Sequence, residues 1–165
     1  MTQVTFKGNP IKINGSMPKK GEISPDFHLA MQDLKRVSLQ DFTGKKKVLN
    51  IFISVDTPVC SKSMHEFTKA LKDKSDVVLL NISMDLPFAA ARCCKTEGLH
   101  NVITLSGFNT SFPEDFGVKI AEGPLEGLCS RAVIVLEKDN KVLYCDLVSE
   151  ITQEPNYKAV LESIE

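Results

Sequence analysis

Residues 47–55, KVLNIFISV, form a nearly unbroken apolar and β-branched run. A half-exposed strand alternates apolar with polar residues. An unbroken run instead predicts a strand covered on both faces, as in a central sheet between two layers. The next segment supplies one of those layers. In CSKSMHEFTKALKDK (60–74), Met64, Phe67 and Leu71 recur at helical spacing with Lys and Glu between them. VVLLNISM (77–84) then reads as a second buried strand. Strand–helix–strand in this order implies a right-handed parallel crossover.

The rest of the chain builds outward from that unit. Residues 3–7 and 11–14 predict two short strands turning at Gly8, Asn9 and Pro10, and residues 15–25 an exposed loop. FHLAMQ (27–32) suggests a third strand, and DFTG (41–44) a helical turn ended by Gly44. AAARCCKTEG (89–98) predicts a helix closed by Gly98, with Pro87 near its start. NVITL (101–105) follows as a strand and 111–117 as a helical turn. RAVIVLEKDNKVLYCDLV (131–148) reads as a β-hairpin and NYKAVLESI (156–164) as a terminal helix. The sum is an α/β chain with a mixed sheet, parallel in the middle and antiparallel at the hairpin edge. Several three-layer folds satisfy this order.

Composition limits the function classes. A length of 165 residues fits one domain, read here as 1–165. Lys plus Arg number 20 against 21 Asp plus Glu, a net charge of −1 that argues against a nucleic-acid binder. No apolar stretch approaches the ~18–20 residues of a membrane span. MTQVTFKGNP lacks the basic start and apolar core of a signal peptide, so the expected location is the cytoplasm. The five cysteines are an odd number in a chain with no C-x-x-C pair, which disfavours a secreted disulfide scaffold.

The cysteines carry the candidate chemistry. Thr57 is placed to cap the 60–74 helix through its hydroxyl, with Pro58 at the first helical position. Cys60 then falls in the first turn, where unpaired amides and the positive dipole end favour a thiolate. A small buried apolar filler is the competing reading, and position alone leaves both open. Cys93 and Cys94 are neighbours in the next helix and point ~100° apart, so one can serve chemistry while the other packs. Cys145 reads as core, on a face with Leu143 and Leu147, and Cys129 in a glycine-rich loop stays unassigned.

Spacing tests the alternatives. A C-x5-R phosphatase loop fails because Glu66 stands where the arginine belongs. Ser63 replaces the second thiol of a C-x-x-C dithiol, which leaves a monothiol disulfide oxidoreductase open. His28, His65 and His100 do not pair at zinc spacing, so no metal or other cofactor is expected. Thr43-Gly44-Lys45-Lys46 lacks the first glycine and the final Ser/Thr of a P-loop, and Lys45, Lys46 and Lys47 read as a solvated turn.

Taken together, these segments resemble one family. NIFISVDTPVCSKSMHEF closely resembles the peroxidatic segment of the bacterial thiol peroxidases, an atypical two-cysteine branch of the peroxiredoxins. SMDLPFAAARCCKTEGLHNVITLS resembles their resolving-cysteine helix. GPLEGLCSRAVIVLEKDNKVLY, EITQEPNY and the N-terminal VTFKGNP are similar to that branch as well. The resemblance covers essentially the whole chain. It implies a thioredoxin-like fold with an extra N-terminal β-hairpin, and thiol-dependent reduction of hydrogen peroxide and organic hydroperoxides. On its T-x-x-C pattern, Cys60 matches the peroxidatic cysteine and Thr57 its hydroxyl partner. Arg131 matches the arginine that stabilises the thiolate and binds peroxide. On its DLPF…C pattern, Cys94 rather than Cys93 matches the resolving cysteine. A transient intramolecular disulfide, recycling by thioredoxin and a homodimer are implied with it. A peroxide sensor without turnover is the other alternative. Two positions depart from the pattern. Ile53 stands where the family has proline, and His65 stands where many relatives carry arginine, making that charge pH-dependent near neutrality.

Overall fold

The computed structural model describes residues 2–165. Its larger sheet has seven strands: β3 (Leu29–Ala30), β4 (Arg36–Val37), β5 (Lys46–Ile51), β6 (Val77–Ser83), β7 (Ile103–Ser106), β9 (Ala132–Leu136) and β10 (Val142–Leu147). Their spatial order is β10-β9-β5-β6-β7-β3-β4. β5, β6 and β7 run parallel, whereas β9 lies antiparallel to β5 and β10 antiparallel to β9. A second, three-stranded sheet joins β1 (Thr2–Phe6), β2 (Asn9–Asn14) and β8 (Lys119–Ile120). The helices are α1 (Pro58–Leu71), α2 (Pro87–Thr96), the short α3 (Phe112–Asp115) and α4 (Tyr157–Ser163). None is long and apolar enough to cross a membrane.

The two-residue period of a strand sorts the central run between two cores. Leu49 and Ile51 join Leu80, Ile82, Ile134 and Leu136 against Phe112, Phe116 and Phe27 on one face. Val48, Val133 and Val135 meet Phe67 and Leu71 of α1 and Val160 of α4 on the other. Burial on both sides explains why the run reads as continuously apolar. Asn50 and Asn81 interrupt it on the helix side. They are register partners across β5 and β6, and the Asn50 amide donates to Asn81 Oδ1 at 3.0 Å.

Several expectations shift in detail. The N-terminal turn is Lys7-Gly8, both at positive φ (51° and 81°), with Phe6 facing Asn9. That is a two-residue hairpin loop whose twist suits the strands, so Asn9 and Pro10 belong to β2. β5 ends at Ile51 rather than Val55. The helical turn expected at 41–44 is a 3-10 turn over Leu39–Phe42. Lys47 is not solvated: it is fully buried, and its ammonium donates to Lys138 O at 3.1 Å and Asn140 Oδ1 at 2.7 Å, clamping the β9–β10 turn. A register shift between Val142 and Tyr144 breaks the alternation of β10. Leu143 therefore packs with the α1–α4 core, while half-buried Cys145 and Leu147 pack on the opposite face.

Candidate active site

The parallel strands β5 and β6 deliver their C-terminal ends side by side, and each leads into a cysteine-bearing helix. Thr57 occupies the N-cap of α1 in extended conformation, and Pro58 opens the helix. The cap is not the one expected. The Thr57 hydroxyl donates back to Ser54 O at 3.2 Å and accepts no helix amide, and no hydrogen bond joins it to Cys60. Cys60 lies in the first turn with 0% exposure.

Arg131 immediately precedes β9, and the β5–β9 pairing carries it beneath α1. Its Nη2 donates to Cys60 Sγ at 3.2 Å and its Nε to Ile151 O at 2.8 Å. Arg131 is 1% exposed, and its Nη1 has no hydrogen-bond partner among the described residues. A buried cation normally needs an anion or a full set of acceptors, so a spare donor beside a sulfur is costly and chemically useful. Arg131, Thr57, Val59, Ile53 and Ile151 border a cavity of about 250 Å³, with Phe6 and Lys7 of the N-terminal hairpin at its rim. Cys60 does not line this cavity but lies behind it, joined to the wall through Arg131.

The hairpin is fixed over the cavity from the chain's other end. Thr5 exchanges backbone bonds with Ser149 and Ile151. The Glu150 carboxylate accepts from Thr152 Oγ1 (2.6 Å), Thr152 N (2.8 Å), Gly8 N (2.8 Å) and Thr5 Oγ1 (3.0 Å). These bonds, led by the Thr152 hydroxyl, hold its pKa at about 2.

Three further polar groups shape the site, the half-buried Asp85 and the buried Asn50 and Asn81, and the sequence did not single them out. Asp85, just before α2, accepts from Ser54 Oγ at 2.8 Å, Val55 N at 2.9 Å and Ser83 Oγ at 2.6 Å. It pins the segment ahead of Cys60 to the start of α2. Asn50 donates to Ser63 Oγ at 3.2 Å, and Ser63 donates to the Cys60 carbonyl at 2.8 Å. Asn81 continues the chain to Ile103 O at 3.2 Å. A lone polar residue in an apolar strand gives little signal of partners some thirty residues away.

Cys94 and Cys93 are both buried and share one apolar cluster with Cys60, Met64 and Ala90. They face different neighbours. Cys94 Sγ accepts from Gln32 Nε2 at 3.5 Å, and that amide also donates to Thr104 Oγ1 at 2.9 Å. Cys93 Sγ donates to Val55 O at 3.6 Å. Burial is the first cause that raises both thiol pKa values; for Cys94 the Gln32 bond works against it. Across the helix pair, Arg92 bonds Asp56 at 3.0 Å and His65 bonds Glu97 at 3.3 Å. His65 is thus engaged with α2 at the surface. Cys129 is sealed in the core on the far side of the sheet, its thiol pushed up by burial and then by Glu114 and Asp85.

Similarity to known proteins gives the family and the fold. Residues 19–161 match the model of the Redoxin family. A thiol peroxidase of Vibrio cholerae is 48% identical over 162 residues, 98% of this chain and 99% of its own length. A peroxiredoxin-like protein from Aquifex aeolicus is similar in structure, with a TM-score of 0.93 at 35% identity, covering 99% of this chain and 96% of that one. A thiol peroxidase from Chromobacterium violaceum also gives 0.93, at 25% identity and the same coverage.

Proposed function

The chain belongs to the Redoxin family and within it to the thiol peroxidases, so it is a thiol-dependent peroxidase, and we propose that Cys60 is its peroxidatic residue and Cys94 its resolving residue. The observation that carries this reading is the Arg131 guanidinium, 3.2 Å from Cys60 Sγ and holding one more buried donor without a partner. That donor suits an incoming peroxide oxygen and the oxyanion that leaves.

The Cys60 thiolate attacks one peroxide oxygen and the O–O bond breaks. The other oxygen departs, takes a proton and leaves as water or an alcohol. Cys60 becomes a sulfenic acid. The Cys94 thiol condenses with it, releasing water and forming a disulfide. Disulfide geometry needs Cα atoms within ~4.4–6.8 Å, and the two cysteines are buried on separate helices with Cys94 bonded to Gln32, so we assign to this step an unwinding of the first turn of α1 and part of α2. A dithiol reductant, which we take to be thioredoxin, then returns two electrons and two protons by exchange. Thr57 lines the cavity and holds the segment before Cys60 through Ser54.

Hydrogen peroxide and small organic hydroperoxides both fit an entrance with one cationic donor and apolar walls. Leu86, Phe88 and Phe108 are exposed at the adjoining ends of β6 and β7, and we assign this face to a homodimer contact. Residues 1–165 act as one domain, located in the cytoplasm.

The test is NADPH consumption coupled through thioredoxin and its reductase. Consumption should require peroxide and persist at catalytic enzyme levels. Cys93→Ser should keep cycling, whereas Cys94→Ser should lose most of it. Loss in Cys93→Ser alone would reverse the assignment.

A further inference from the structure

We propose that Cys93 is a second resolving thiol, able to condense with oxidised Cys60 in its own right. This rests on Cys60 being the residue that peroxide oxidises. Cys60, Cys93 and Cys94 share one buried apolar cluster, and α2 turns the two neighbours in different directions. Cys94 is held toward Gln32 and Thr104. Cys93 points at the segment that precedes α1, with its sulfur 3.6 Å from Val55 O. It also lines an open groove of about 370 Å³ whose opposite wall is Thr57, Pro58 and Ser61.

That placement matters when the first turn of α1 opens. Thr57, Pro58 and Ser61 flank Cys60 in sequence, so unwinding them releases the oxidised sulfur into the groove that Cys93 borders. The Asp56–Arg92 ion pair keeps this segment beside α2. Reaching Cys94 requires α2 to change as well and the Gln32 bond to break. In the closed state burial keeps the Cys93 thiol protonated, so it waits for the same opening.

The step balances without another oxidant. Cys60–SOH and Cys93–SH form the Cys60–Cys93 disulfide and one water. A dithiol reductant restores both thiols with two electrons and two protons, as in the Cys94 route.

The experiment treats Cys94→Ser with one equivalent of hydrogen peroxide, digests it without reduction and maps the linked peptides. A Cys60–Cys93 peptide is expected, with coupled turnover at about a tenth to a hundredth of the parent rate. Cys93→Ser/Cys94→Ser should form no internal disulfide and stop after one equivalent. Cys94→Ala separates a packing defect of buried serine from lost chemistry. The parent chain at limiting peroxide should also show a minor Cys60–Cys93 peptide beside Cys60–Cys94. Cys94→Ser and Cys94→Ala behaving like the double variant, with no Cys60–Cys93 peptide in any form, would overturn the proposal. Failure of the underlying reading looks different: Cys60→Ser would still consume peroxide.

Discussion

Cys60 and Cys129 are equally hidden, each with 0% exposure, yet their surroundings are opposite. Cys60 has a guanidinium at 3.2 Å and a cavity beyond it. Cys129 has the phenylalanine core around it, and the carboxylates of Glu114 and Asp85 add to burial in keeping its proton on. Arg131 lies only two residues from Cys129 in the chain and serves the other thiol: an unbroken strand would put residues two apart on one face, but the chain bends at Arg131 before β9 begins at Ala132. On the proposed assignment, burial does not decide whether a cysteine reacts; the charge beside it and the neighbouring cavity do.

The largest expected contrast is between the two thiols. Cys60→Ser should abolish peroxide turnover in the coupled assay. Cys129→Ala should leave turnover unchanged and cost only about 1 kcal/mol in denaturant unfolding. Next comes the cation. Arg131→Ala should lower kcat/KM for peroxide by about 10²–10³, the usual scale for one oxyanion donor. Arg131→Lys should recover little, since one ammonium cannot serve Ile151 O, Cys60 Sγ and peroxide in the same fork geometry.

Asp85 belongs to both environments, since it fixes Ser54 and Val55 ahead of Cys60 and adds negative charge near Cys129. Asp85→Ala should cut kcat/KM for peroxide by about ten- to a hundredfold through misplacement of the first turn. Steady-state kinetics with saturating reductant separates this from a recycling defect. Asn81→Ala leaves the Asn50 amide and Ile103 carbonyl short of a partner, and should cost about 1–3 kcal/mol in unfolding experiments with turnover nearly intact.

The smallest effect is on the roof of the cavity. Glu150 has a folded-state pKa of about 2 against an ordinary 4.5. A depressed carboxylate contributes its stability above the ordinary value and loses it as pH falls through the folded one. Protection of the Gly8 and Thr5 amides against hydrogen exchange, relative to the intrinsic rate at each pH, should therefore fall between about pH 4.5 and 2. Glu150→Gln should show the faster exchange already at neutral pH.

The strand–helix–strand centre was legible because each face of the sheet is covered and the chain says so in apolar residues. The Thr57-Pro58-Cys60 start of α1 was legible in position, though the hydroxyl turned back to Ser54 instead of capping the helix. Arg131 was not readable from local pattern. An arginine opening a strand ordinarily reaches solvent, and only the family resemblance marked it. Asp85, Asn50 and Asn81 escaped because their partners meet only in the fold. The two-residue strands β3, β4 and β8 are too short to show a period. The bulge in β10 moved Leu143 to the other face, where strict alternation places it with Cys145.

On the proposed mechanism, the cation beside Cys60 makes it the thiol that peroxide oxidises. The most direct test uses Cys93→Ser/Cys94→Ser, in which a sulfenic acid persists. Substoichiometric peroxide with a sulfenic-acid trap, followed by peptide mapping, locates the oxidised sulfur. The label should fall on Cys60, and should largely disappear when Arg131→Ala is added. A label on Cys129 or Cys145, or an undiminished Cys60 label without Arg131, would show that the cation does not select the oxidised thiol.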